Sequence, residues 1–199
     1  LAHFLARFYN PRAIYVVHVT VIRLWARISN MKHLSILRHA KAQTFEESPT
    51  DFERSLTQRG VKDAHHIGQI LADIEPAVDW VVSSPAQRTR ETAAAVVGVL
   101  GFTRGVVWQD GIYEGSADGL LNVLAQVPPE MGHVLLIGHN PGVEELVSGL
   151  TAGSPTRLGI SMLPAGLAHL TLEIFGWNKI RWGCGTLHAL LHPKRVRAK

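Results

Sequence analysis

Ser35-Ile36-Leu37-Arg38-His39-Ala40 decides how the chain is read: a short apolar run that ends in an arginine and a histidine. A run bounded this way and followed by polar sequence predicts a buried strand over 33–37 that delivers Arg38 and His39 to its C-terminal edge. Open α/β sheets place their ligands at that edge. The hexapeptide is therefore a candidate active-site address. A lone histidine beside a strand is more often a surface or satisfied core residue, so the rest of the chain has to supply its partners.

Working outward, the pattern stays regular. A polar loop over 41–53 contains Pro49. Thr57 is a candidate N-cap for a helix running to about residue 73, with Val61, Ala64, Ile67, Ile70 and Leu71 as its buried stripe. Gly60 falls near the first turn, where it costs helix propensity but permits close backbone approach. Trp80-Val81-Val82-Ser83 reads as the second strand, leaving through Ser84-Pro85 into a helix over 86–97. A short strand over 106–108 and a helix over 118–126, ended by Pro128-Pro129, come next. Residues 134–137 form a third central strand, His139-Asn140-Pro141-Gly142 the turn beyond it, and 143–150 the following helix. Residues 167–174 alternate as a sheet strand, and 180–185 are read as a last one. Strands alternating with helices predict an α/β fold, a three-layer α/β/α sandwich with a mainly parallel central sheet covered on both faces.

At 199 residues the chain fits one domain with a sizeable core, read here as 31–199. Residues 1–30 are apolar, aromatic-containing and basic, and their run 14–25 is too short and too interrupted by His18 and Arg23 to span a membrane. They fit an amphipathic or targeting arm, an extra element packed on the domain, or sequence lying upstream of a start at Met31. The formal net charge of +4 belongs to this stretch. Arg7, Arg12, Arg23 and Arg27 face no acid there, which leaves 16 of the 20 basic residues against all 16 acids over 31–199. A nucleic-acid partner needs a basic face, and the neutral body does not supply one by composition. Cys184, the single cysteine, excludes an internal disulfide and a Cys-based zinc cluster. It is compatible with a reducing compartment, and the cytoplasm is the expected location. Oligomeric state is left open.

Three strand exits carry polar groups of one chemical kind: Arg38-His39, Arg88 shortly after Ser83-Ser84-Pro85, and His139 after Ile137-Gly138. The carboxyl ends of parallel strands share one rim, so residues 39 and 139 can converge. Two imidazoles and two guanidiniums at one rim suit an anion with several oxygens, and the helix N-termini after Ser84 and Pro141 add partial positive charge. Glu114 is a candidate acid donor, with Asp110 as its rival, and Arg54 a candidate further phosphate contact. Arg90 and Arg104 read as surface charges. His65 and His66 are adjacent on a helix and cannot both face one site; no metal site is expected there.

Leu37-Arg38-His39-Ala40 resembles the signature of the histidine phosphatase superfamily, whose usual form is Arg-His-Gly, with Ala40 as a departure. Arg54-Ser55-Leu56-Thr57-Gln58-Arg59-Gly60, Ser83-Ser84-Pro85-Ala86-Gln87-Arg88-Thr89-Arg90-Glu91-Thr92 and Gly138-His139-Asn140-Pro141 are similar in order. The likeness spans roughly 32–193. The compact size and the short segment between Arg88 and His139 resemble the SixA-like phosphohistidine phosphatase branch. The resemblance implies a phosphoglycerate mutase-like fold, with His39 as nucleophile, Arg38 and Arg88 binding the phosphoryl group, His139 as the second phosphate-pocket histidine, and Arg54 as a nearby accessory. Compact members do not all keep a clear acid donor, so Glu114 is less firmly implied. The extra methyl of Ala40 is expected to be tolerated unless that backbone has positive φ.

The expected activity is metal-independent and cofactor-free phosphoryl hydrolysis, with protein phosphohistidine as first substrate class. A phosphatase or mutase for a small phosphorylated metabolite is the alternative, and a non-catalytic phosphate-binding domain the remote one. No long insertion between Arg88 and Glu114 is available to build a mutase lid, and the polar 41–53 loop is expected to leave the pocket mouth open.

Overall fold

A computed structural model describes residues 31–193. The three readings of 1–30 lie outside the described residues. The chain runs β1 (Lys32–Arg38), α1 (Gln58–Ala72), β2 (Trp80–Ser83), α2 (Gln87–Leu100), β3 (Val107–Trp108), α3 (Ala117–Ala125), β4 (His133–Gly138), α4 (Gly142–Ala152), β5 (Leu167–Leu172) and β6 (Gly185–Leu191), with short 3-10 turns at Phe45–Glu47, Asp110–Ile112 and Trp177–Lys179. The sheet has the order β3-β2-β4-β1-β5-β6. Its first four strands are parallel, and β5 and β6 are antiparallel additions at the far edge.

Side chains alternate between two cores. Leu34, Ile36, Val134 and Leu136 pack with Leu120 and Leu124 of α3 and Leu146, Val147 and Leu150 of α4. Leu37, Leu135 and Ile137 pack with Ala64, Ile67 and Leu71 of α1 and Ala93 and Val96 of α2. With helices on both faces, all six residues of β4 are buried, the expected fate of a central parallel strand. The register sets Arg38 opposite Gly138, so β1 and β4 end side by side. That register brings residues 39 and 139 to one rim.

The structure departs from the sequence reading in two places. In α1 the buried stripe runs through Gly60, Asp63, Ala64, Ile67, Gly68 and Leu71, whereas Val61 is exposed and Ile70 half-buried. The helix is turned so that its glycines meet their neighbours: a Cβ on Gly60 would come within 2.2 Å of the Lys41 carbonyl oxygen. The last strand is Gly185–Leu191 rather than 180–185. Ile180, Trp182 and Cys184 alternate because they pack on the α3/α4 core, with Trp182 lying over Gly149, and Gly183 turns the chain at φ 72 before pairing begins. The 41–53 segment is a polar loop, as read, and is tied down: Ala42 bridges Leu56, and the Phe52 carbonyl accepts from the Gln87 N–H at 2.9 Å.

Candidate active site

The site forms where β1 and β4 end and α2 begins. The His39 N–H donates to the Gly138 carbonyl at 3.0 Å, and the Ala165 N–H to the His39 carbonyl at 3.0 Å, fixing the backbone of the histidine from both sides. Thr57 caps α1, and both its N–H and its hydroxyl donate to the Lys41 carbonyl, so the first turn of α1 seats the chain just past His39. Ala40 is fully buried, is absent from the positive-φ residues, and donates its N–H to Thr92 Oγ1 at 3.0 Å. Alanine therefore fits there without strain.

The rings of His39 and His139 lie 5.2 Å apart between centroids. His39 Nδ1 is 2.7 Å from the Ala40 carbonyl oxygen, which can only accept. Nδ1 is thus the protonated nitrogen, and Nε2 carries the lone pair. Burial holds the imidazole at about 4; the Ala40 hydrogen bond opposes that shift, while the charges of Arg88, Arg38 and Arg54 reinforce it. At neutral pH His39 is an uncharged base in a cationic setting.

Ser84 Oγ accepts from the Ala86 N–H and lies 2.8 Å from His139 Nε2, the two sharing one hydrogen bond. The other ring nitrogen, Nδ1, is buried and has no hydrogen-bond partner among the described residues. Burial, followed by the charge of Arg88, brings His139 down to about 3. Arg38 Nε and Arg88 Nε are likewise buried and unpartnered. Near the His39 ring, two guanidiniums thus keep buried N–H groups able to donate to an oxyanion.

The arginines are held by their other nitrogens. Arg38 Nη1 donates to the Met162 carbonyl at 2.7 Å. Asn140 donates to the same carbonyl at 3.1 Å and to Glu144 at 2.6 Å, while Glu144 accepts from the Met162 N–H at 2.7 Å. Arg88, in the first turn of α2 and 6% exposed, gives Nη1 to the Asp51 main-chain carbonyl and Nη2 to the Asp51 carboxylate at 2.9 Å. Arg54 donates Nε to the Gln43 carbonyl and Nη1 to the second Asp51 oxygen, both at 2.8 Å.

Glu114 adopts φ 54 and, with Gly115, Ser116, His139, Asn140, Pro141 and Glu145, lines a cavity of about 340 Å³. Asp110, its rival, is in the preceding 3-10 turn and does not line that cavity. A Cβ on Gly142 would meet the Gly115 carbonyl at 2.3 Å, so the start of α4 presses directly on the Glu114 turn.

Arg38, His39, Arg54, Arg88 and His139 are therefore brought together, with Glu114 lining a cavity that His139 shares. Arg90 is held elsewhere, over the Trp108 ring at 4.5 Å, and Arg104 donates to the sulfur of Met131. His66 contacts Gln69 within α1, and no three His, Cys, Asp or Glu side chains among the described residues are placed to hold a metal ion together. Sequence reasoning missed Asp51, Tyr113 and Ser84. Asp51 precedes Arg54 by three residues, a spacing at which a turn pairs opposite charges, and that spacing was its available signal. The Met162 carbonyl has none.

Among known proteins, the family model of the histidine phosphatase superfamily (branch 1) matches residues 34–177. The chain is similar to a candidate phosphohistidine phosphatase SixA from Nakamurella multipartitia, at 30% identity and a TM-score of 0.71, covering 82% of this chain and 96% of that one. It is 27% identical over 165 residues to an uncharacterized protein of Mycobacterium tuberculosis, spanning 79% of this chain and all of that protein. Mycobacterial glucosyl-3-phosphoglycerate phosphatase shares the fold at a TM-score of 0.58 and 17% identity, covering 79% of this chain and 97% of that one.

Proposed function

This chain belongs to the histidine phosphatase superfamily, and on that premise we propose that it is a phosphatase acting on protein phosphohistidine through a covalent intermediate on His39. What carries this function is the state of His39: neutral, with Nδ1 tied to a carbonyl and Nε2 free, among three guanidiniums. A module that only bound phosphate would gain nothing from so depressed an imidazole.

His39 Nε2 attacks phosphorus in line, forming a P–N bond as the bond to the leaving group breaks. Arg38 and Arg88 through their Nε–H groups, and His139 through Nδ1–H, donate to the equatorial oxygens, with Arg54 as an accessory charge. The leaving imidazole takes up a proton as it departs. Glu114 is the acid for leaving groups that need one, and a good leaving imidazole needs it least. Water then attacks the phosphorylated His39, releasing inorganic phosphate and restoring the neutral ring.

Features of the rim support a protein substrate over a small metabolite. Phe45, Phe52 and Leu163 are large apolar residues 64%, 41% and 45% exposed. Phe45 lies under Arg54, Phe52 beside Asp51, and Leu163 next to the Met162 that holds Arg38. Exposed apolar groups beside a phosphate pocket suit a side chain projecting from another protein. The SixA-like neighbour at 30% identity supports the same substrate class. No helix of the described residues is long and apolar enough to cross a membrane. A panel comparing kcat/KM on a phosphohistidine peptide, an aryl phosphate and small phosphorylated metabolites tests the assignment. The peptide should lead clearly; strong preference for one metabolite would replace the protein substrate with that molecule.

A further inference from the structure

We propose that Asp51 is a positioning residue that sets Arg88 and Arg54 for phosphoryl binding, a role that rests on the phosphatase reading of the site. Asp51 itself is unsuited to touching the phosphoryl group, because its carboxylate would repel it. Its place is behind the arginines. Both terminal nitrogens of Arg88 end on Asp51, one on its main-chain oxygen and one on its carboxylate, and Arg54 Nη1 reaches the other carboxylate oxygen. The Tyr113 hydroxyl also donates to the carboxylate, at 3.1 Å.

Three segments remote in sequence therefore meet on one side chain: the 41–57 segment, the first turn of α2, and the turn that carries Glu114. The main chain beside Asp51 is tied to the start of α2, since the neighbouring Phe52 carbonyl accepts from the Gln87 N–H. A guanidinium fixed at both terminal nitrogens has one orientation left, and that orientation leaves Arg88 Nε–H buried without a partner on the edge opposite Asp51. One negative charge between two guanidiniums also offsets the repulsion of packing them beside Arg38. Burial opposes ionisation of Asp51, but hydrogen bonds from Arg54, Tyr113 and Arg88, with the charge of Arg88, hold it below the ordinary carboxylate value. The brace is thus charged at working pH.

The test uses the full chain with Asp51→Ala, the near-isosteric Asp51→Asn, and the pair Arg54→Ala/Arg88→Ala with and without Asp51→Ala. The readouts are kcat/KM on an aryl phosphate and tungstate affinity by calorimetry. Asp51→Ala should lower kcat/KM by about 10- to 100-fold, as loss of a supporting partner does, and weaken tungstate in the same direction. Asp51→Asn should fall between it and the parent. In the Arg54→Ala/Arg88→Ala background, removing Asp51 should cost little more, because the residue acts through those two side chains. Multiplying losses in that background, or tighter tungstate binding by Asp51→Asn, would overturn the proposal, the latter by showing a competitor of phosphate. If Asp51→Ala fails to fold, the Asp51→Asn tungstate affinity decides. A parent protein that turns over no phosphate compound would sink the phosphatase reading alone, while the tungstate comparison would still judge Asp51.

Discussion

At the scale of single residues, the chemistry turns on protons. His39 must be neutral to attack, and its folded value of about 4 lies below the ordinary 6.5. Activity should accordingly persist as pH falls through 6.5, with the acid limb of kcat/KM, which reports the free enzyme, near pH 4. A limb at 6.5 would mean a solvated imidazole. Arg88→Ala should cost about 2–5 kcal/mol of transition-state stabilisation on every substrate, as expected for a buried charge-assisted donor. Glu114→Gln should instead hurt alkyl phosphates far more than a phosphohistidine peptide, and equal damage to both would contradict the leaving-group argument. The groups that make these predictions possible were unevenly legible. Arg38, His39, Arg88 and His139 stand at strand exits, where apolar runs break abruptly into polar residues, and their convergence follows from parallel strands sharing a rim. Asp51 sits in a polar stretch like any solvated acid, and only tertiary contact with Arg88 distinguishes it. The tautomer of His39 is set by a backbone carbonyl, and His139 is held by Ser84, partners that no spacing rule selects.

At the scale of elements, a close backbone approach positions the site: Gly60 lets α1 seat on the Lys41 carbonyl just past His39. Gly98 in α2, by contrast, has nothing among the described residues within 4 Å of where a Cβ would stand. Gly60→Ala should therefore lower Tm through overpacking worth about 1–3 kcal/mol and depress kcat. Gly98→Ala should raise Tm, by up to about 1 kcal/mol in stability, and leave activity alone. Thermal melts and initial rates on the two variants check both halves. Strands and helices with one period and two distinct faces were readable from the chain. The segment 180–185 was not, because residues that dock on the α3/α4 core from a coil can alternate as a strand does. Val61 failed as a core residue for a related reason: glycines, which carry no hydropathy signal, take up the closest packing of α1 and turn Val61 outward.

At the scale of the whole molecule, the sheet carries a second group of histidines at the opposite end from the rim. His33, His133, His169 and His188 follow one another at ring separations of 5.3–6.1 Å, with Ser35 Oγ 2.9 Å from His133 Nε2 and 3.1 Å from His169 Nδ1. Burial, with repulsion from neighbouring imidazoles, lowers His33 and takes His133 and His169 to about 4; the nearby Asp79 carboxylate opposes this at His133. A base depressed in the fold adds stability that is complete above its unfolded value near 6.5 and is lost as pH falls toward 4. His133 alone accounts for on the order of 3 kcal/mol. His39 and His139 add to the same slope. Tm should thus drop steeply from pH 6.5 to 4, and His133→Gln should flatten that profile while leaving turnover at neutral pH intact. An unchanged slope would mean that these rings titrate freely in the fold. The central claim is that the chain itself carries the phosphoryl group in mid-reaction. Its most direct test is to mix the protein with a labelled phosphohistidine peptide, quench in base within a turnover, and map the label. One acid-labile, base-stable phosphoryl group should appear on His39 and be absent from His39→Ala; turnover without a labelled His39, or undiminished turnover in that variant, would overturn the covalent mechanism.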